Sequence, residues 1–195
     1  MRLIAGLGNP GAKYRGNRHN VGFMALAHFA ARHGAGTFRN GFQGEHARAR
    51  VGGHDVVLLA PHTFMNLSGR SVQEALQFYK LGIGDLVVVH DELDLPFGRL
   101  QIKLGGGTAG HKGLKSIVES CGDPGFCRVR IGVGRPPGRV PVEHHVLSDF
   151  TPEEGARLSD VLESATSALT DLVERGDAAA MNTHNRNLET DATRD

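Results

Sequence analysis

Between Asp85 and Asp91 the chain reads Leu86-Val87-Val88-Val89-His90, four aliphatic residues in unbroken succession. A strand with one wet face alternates apolar and polar side chains. One that is apolar at every position is expected where both faces are covered, as in the centre of a parallel or mixed sheet with helices above and below. This run narrows the choice of fold more than any other segment. It also ends on Asp91, at the carboxyl end of its strand, where open α/β sheets place their ligands.

The remaining pattern is compatible with such a sheet. Arg2–Ala5 reads as a short buried strand entering a Gly-Asn-Pro-Gly turn, and 21–33 as a helix that Gly34 stops. Strands near Gly44–Val51 and Asp55–Ala60 flank Gly52-Gly53, a hairpin signal. A helix is expected over Ser68–Leu81, with Val72, Leu76 and Tyr79 inward. A strand follows over Arg99–Leu104, then a short helix over Lys112–Ser120 and a strand over Arg128–Val133. A long amphipathic helix starts near Pro152, its inner stripe carrying Leu158, Val161, Leu162, Ala165, Leu169, Leu172 and Val173. The expectation is an α/β fold: a single domain with a twisted mixed β-sheet surrounded by helices over residues 1–187, then a polar, disordered tail at 188–195. Of the 195 residues, 39% are hydrophobic, enough for a core. There is no Trp and there are only two Tyr, so an aromatic platform for stacking bases is not expected.

Several classes of function fall away. Cys121 and Cys127 are too few for a disulfide framework and lack the spacing of a structural zinc site. No apolar run approaches the roughly 20 residues that cross a bilayer, and glycines and Pro10 interrupt the first one, so a cytoplasmic protein is expected. The net charge of +1 conceals a division: Arg2, Lys13, Arg15, Arg18, Arg32 and Arg39 precede the first acidic residue, Glu45, whereas from Asp149 onward eleven acidic residues face four basic ones. Such an opening segment is either a local patch for a polyanion or an ordinary solvated face.

Two glycine motifs invite nucleotide readings and fail them. Gly6-Leu7-Gly8-Asn9-Pro10-Gly11 fits the dinucleotide fingerprint, but no apolar helix follows directly and no acidic residue stands about 20 positions later. Gly105–Gly113 resembles a phosphate loop, but His111 separates Gly110 from Lys112, and Gly113 replaces the hydroxyl that would hold magnesium. That loop could still present backbone N–H groups to a carbonyl or phosphate, or be only a flexible hairpin exit. No histidine pair has metal-ligand spacing, and His144 and His145 read as surface residues. His19 differs in lying in a polar, cationic loop ahead of an apolar helix. With Asp91 it could form a general-base pair, the carboxylate holding the imidazole tautomer that takes a proton from water. With no Gly-x-Ser-x-Gly elbow and no reactive Cys, direct attack by water is the simpler chemistry.

Gly6–Gly11 with Tyr14, Arg18-His19-Asn20, Thr63–Gly69, His90–Asp94 and Gly110-His111 occur in an order and spacing that resemble the bacterial-type peptidyl-tRNA hydrolase family, over about residues 1–187. The resemblance implies a monomeric, cytoplasmic enzyme without cofactor or metal, which hydrolyses the ester between peptide and tRNA and so returns tRNA to translation. It implies His19 as general base, Asp91 as its orienting partner, and Asn9 and Asn66 at the scissile ester. Tyr14, Phe64 and Met65 become walls of the peptide groove. Lys103, His111 and Arg130 contact the RNA end or line the channel to it. The chain departs from a common family pattern at Lys112, where Asn often follows the histidine. Its ammonium is expected to reach outward to a phosphate or ribose, because an inward charge would oppose an imidazolium at His19. The rivals are a non-catalytic RNA-binding protein, as among plant relatives, and a nicotinamide-dependent enzyme.

Overall fold

The computed structural model describes residues 1–185; the tail expected at 188–195 lies outside the described residues. Seven strands form one mixed sheet: β1 (Arg2–Gly6), β2 (Arg39–Gly41), β3 (Gly44–Val51), β4 (His54–Pro61), β5 (Leu86–Glu92), β6 (Leu100–Leu104) and β7 (Cys127–Gly132), in the order β2-β3-β4-β1-β5-β7-β6. The four central strands β4, β1, β5 and β7 are parallel; the pairs toward both edges are antiparallel.

The aliphatic run explains the layering. Leu86 and Val88 point into one core with Leu3, Ala5 and Val57, covered by α2 (Ser68–Tyr79) and α3 (Lys112–Cys121) through Val72, Leu76, Leu114 and Ile117. Val87 and Val89 point into the other, covered by α1 (Val21–Arg32) and α5 (Pro152–Glu174) through Ala25, Phe29, Leu169 and Leu172. Each face thus buries a full aliphatic layer, at about 25 cal/mol for each Å² of apolar surface removed from water.

Gly52 and Gly53 take positive φ in the β3–β4 hairpin, as the turn between right-twisted strands requires. The expected helix at 68–81 ends earlier, at Tyr79, because Lys80 adopts a left-handed conformation. Three elements lie outside the sequence expectation: β2 and the two short helices α4 (Val142–Val146) and α6 (Asp177–His184). With α4 comes a correction for His145. It is half-buried, and its Nε2 lies 3.0 Å from the Gly134 carbonyl oxygen and 3.3 Å from that of Val133.

Half of the basic opening segment is paired within the fold. Arg2 pairs with Asp177 at 2.6 Å, Arg18 with Glu154 at 2.5 Å and Arg32 with Glu163 at 2.7 Å, so part of the basic opening segment docks onto the acidic C-terminal helices. Buried Arg18 also donates to Ser148 Oγ and the Asp149 carbonyl. Glu154 belongs to the capping box that starts α5 with Thr151. These contacts clamp the 3-10 turn Arg18–Asn20 that leads into α1.

Candidate active site

The site is built where the parallel strands β1, β4 and β5 end. From β1 the chain turns through Asn9, from β4 through Met65 and Asn66, and β5 itself delivers Asp91. The clamped turn brings in His19, and the start of α3 brings in His111. Around them an 810 Å³ groove opens, lined by these six residues together with Tyr14, Phe64, Lys112 and the segment 142–147. The crossing point needs Gly22, whose added Cβ would come 2.4 Å from the Val89 carbonyl oxygen and 2.5 Å from Leu7 backbone atoms. Only a glycine lets α1 approach so closely that His19, three residues earlier, reaches Asp91.

His19 Nδ1 lies 2.8 Å and 2.9 Å from the two carboxylate oxygens of Asp91. The buried acid therefore fixes the neutral tautomer: Nδ1–H donates, and Nε2 keeps its lone pair, engaged by no hydrogen bond among the described residues. Burial alone would raise the pKa of Asp91. The imidazoles of His111 and His19 outweigh it and hold the carboxyl well below the usual range. Behind Asp91, burial pushes the fully enclosed His90 down to about 3, a neutral ring whose Nδ1–H donates to the Asp91 carbonyl at 2.7 Å.

Asn9 is oriented as tightly. Its Oδ1 accepts the Met65 amide at 2.9 Å, while Asn20 takes both its backbone groups, Oδ1 accepting from Asn9 N and Nδ2 donating to Asn9 O, each at 2.9 Å. What remains is the Asn9 Nδ2 amide, a donor without a hydrogen bond among the described residues. Asn66 is exposed on the groove wall.

His19, Asp91 and His111 place three metal-ligand atoms within 4.8 Å of one another. The hydrogen bonding of His111 argues against a metal there. Its Nδ1 accepts from Gly113 N at 3.1 Å and Leu114 N at 3.3 Å, so the ring proton sits on Nε2 and is directed at Asp91 Oδ1, 3.0 Å away. Coordination through Nε2 would require moving that proton to face two N–H groups.

The geometry of the chain coincides with its kinship. The family model described as peptidyl-tRNA hydrolase matches residues 3–192. The chain belongs to the peptidyl-tRNA hydrolase family. Curated relatives bearing that name include one from Sorangium cellulosum, 51% identical over 95% of this chain and 84% of the relative. Another, from Rhodopseudomonas palustris, is 54% identical over 85% and 82%. Among solved structures, peptidyl-tRNA hydrolase from Acinetobacter baumannii superposes with a TM-score of 0.88 at 39% identity, over 95% of both chains.

For this family member the structure sorts the residues expected from sequence. His19, Asp91, Asn9, Asn66, Tyr14, Phe64, Met65, His111 and Lys112 all line the groove. Phe64 is 57% exposed, whereas Met65 is buried in the core beneath it. Lys103 and Arg130 are not among the lining residues. Lys103 is exposed on β6, and Arg130 is held by Glu92, at 2.8 Å, and by Gln101. Lys112 does face outward, 63% exposed, and its ammonium meets Glu143 at 3.1 Å. The glycine-rich loop is neither a free anion cradle nor a slack exit. Buried Arg128 grips the carbonyls of Gly107 and Gly106 at 2.6 Å and 2.7 Å, and His111 consumes the N–H groups of the helix start. Sequence reasoning assigned no role to Asn20, Arg128 or His90. Asn20 and His90 stood inside recognised motifs, but Arg128 carried no local signal.

Proposed function

We propose that the chain hydrolyses the ester between a peptide and the ribose of its tRNA, by direct attack of a water molecule that His19 Nε2 deprotonates. The observation that carries this reading is the His19–Asp91 contact, which leaves a lone pair on Nε2 in the 810 Å³ groove. As the base takes the proton, the carboxylate stabilises the imidazolium. Among the described residues no serine or cysteine lines the groove, so an acyl-enzyme is not indicated.

Asn9 Nδ2 and Asn66 donate to the ester carbonyl as it becomes an oxyanion, a task for which Asn9 is already held before the substrate arrives. Tyr14, Phe64 and Met65 form apolar walls for the peptide. Lys112, Lys103 and Arg130 serve the RNA end, Arg130 by exchanging Glu92 for a phosphate. The enzyme acts as a monomer, without metal, in the cytoplasm, and its product re-enters translation. Among the described residues no helix is long and apolar enough to cross a membrane.

Release of free tRNA from a peptidyl-tRNA, by the purified chain and by His19→Ala, tests the reading. A lost general base costs about 100-fold to 10,000-fold in turnover, with tRNA affinity retained. Wild-type turnover in the variant, or activity that vanishes with chelator and returns with zinc, overturns it.

A further inference from the structure

We propose that His111 is a positioning residue: locked in one tautomer by the start of α3, it shares Asp91 with His19 and so limits the negative charge that the general base sees. The proposal rests on the reading of His19 as general base and gives His111 a task at the catalytic pair in place of a contact with RNA.

The lock is unusual in kind. Helix N-caps are usually Ser, Thr, Asp or Asn, whose oxygens accept the orphaned N–H groups of the first turn. Here an imidazole does it, Nδ1 accepting from both Gly113 and Leu114. A nitrogen facing two N–H donors at the positive end of a helix keeps its lone pair, so the backbone fixes the proton on Nε2. That proton goes to Asp91 Oδ1, which also receives His19 Nδ1.

The ring has little freedom to do otherwise. His90 packs edge-on against it at 5.0 Å and 71°, and the His19 ring lies 5.1 Å away. The loop leading to it passes through Ala109 at φ 46° and Gly110 at φ 79°, with the Gly106 and Gly107 carbonyls fastened to buried Arg128. A left-handed alanine is a strained position that persists only where its surroundings enforce it. Arg128, the glycine loop, His111, Asp91 and His19 thus form one contiguous series of contacts.

A carboxylate that accepts from a second donor stabilises an imidazolium less than one devoted to a single histidine. His111 therefore holds His19 nearer to the neutral, proton-accepting form and stops Asp91 from rotating. Other ionisable groups at this site are His90 behind the cluster and Tyr14, Glu92, Asp94, Lys112, Arg135 and Glu143 along the groove, all left in place by the two substitutions.

His111→Asn keeps a helix cap but is too short to reach Asp91; His111→Gln weakens the cap but still offers Asp91 an N–H. We would follow the His19 ring protons by NMR against pH, together with kcat/KM against pH on peptidyl-tRNA. In His111→Asn the His19 midpoint and the acid limb of kcat/KM should both move up by about half to one pH unit, the size of one lost hydrogen bond to a carboxylate, with KM within about twofold. In His111→Gln both should return toward wild type. An unmoved His19 titration with a raised KM would show that His111 only touches substrate and would overturn the proposal. A shifted titration in a protein whose wild type hydrolyses nothing would uphold it and overturn the assigned reaction instead.

Discussion

Asn20 does for Asn9 what a neighbouring strand does for a sheet residue: one amide satisfies both the N–H and the C=O, so Asn9 is held by its backbone while its Nδ2 faces the groove without a hydrogen bond among the described residues. That economy is typical of the site, where buried polar groups take their positions from other buried polar groups. It makes the site sensitive to acid. His90 is enclosed and neutral, its pKa lowered from 6.5 to about 3 by burial, with Nε2 lacking a hydrogen bond among the described residues. Its folded pKa lies below its unfolded one, so its contribution is complete above pH 6.5 and is lost as pH falls from there toward 3. Between pH 7 and pH 5 this amounts to about 2 kcal/mol, at roughly 1.4 kcal/mol per pH unit per proton. Asp91, also depressed, contributes fully above the ordinary carboxylate range and loses that contribution only as pH falls below it, so the two windows separate. Denaturant unfolding of wild type and His90→Phe at pH 7 and pH 5 checks this: the drop should shrink in the variant, and an equal drop in both would refute it. At this scale the sequence pointed to His19 and Asp91 through a loop and a strand end, and to Asn9 only through the family resemblance. It could not disclose the His111–Asp91 contact, because nothing between residues 91 and 111 states where α3 will land.

Among the elements, those that bury a layer were legible and those that bury one or two residues were not. β5, the β3–β4 hairpin and α5 announce themselves by an aliphatic run, a glycine pair and a stripe of seven apolar residues. β2 has the sequence Arg-Asn-Gly and pairs with β3 only because the turn after it returns the chain. α4 buries Val146 alone, and α6 buries Ala180 alone, too little for a period to show. The same reasoning marks the junction of α1 with β1 and β5 as the least tolerant in the fold. Gly22→Ala would drive a methyl into backbone atoms of Val89 and Leu7, which cannot move aside as a flexible side chain could. It should destabilise by about 3 kcal/mol or more, at the upper end of overpacking costs, and should displace His19 as well. Equilibrium unfolding would show it; a loss under about 1 kcal/mol would mean that the helix can back away and that the close approach is not required.

For the whole molecule, the decisive arrangement is the sheet order. β1 lies between β4 and β5, and the crevice at their carboxyl ends is where a doubly wound sheet receives a ligand. The sequence showed strands and their type but not this order, and it left the charge division open between an anion patch and a solvated face, with internal pairing not foreseen. Three of its arginines turn out to hold the C-terminal helices, while Lys13, Arg15 and Arg39 stay exposed. Lys112 belongs to the exposed charge as well. Lys112→Ala should raise KM more than it lowers kcat on full-length peptidyl-tRNA and should flatten the salt dependence of binding by about one phosphate contact. An unmoved salt slope with a large kcat loss, on full tRNA and on a minimal esterified fragment alike, would place Lys112 at the reacting centre. The proposed hydrolysis depends on the pairing of His19 with Asp91, and the pH profile of Asp91→Asn tests that most directly. The amide preserves shape but cannot stabilise an imidazolium, so kcat/KM on peptidyl-tRNA should fall by about 100-fold to 10,000-fold with its acid limb moved to lower pH. A profile that keeps its shape and height would contradict the pairing and, with it, the assigned chemistry.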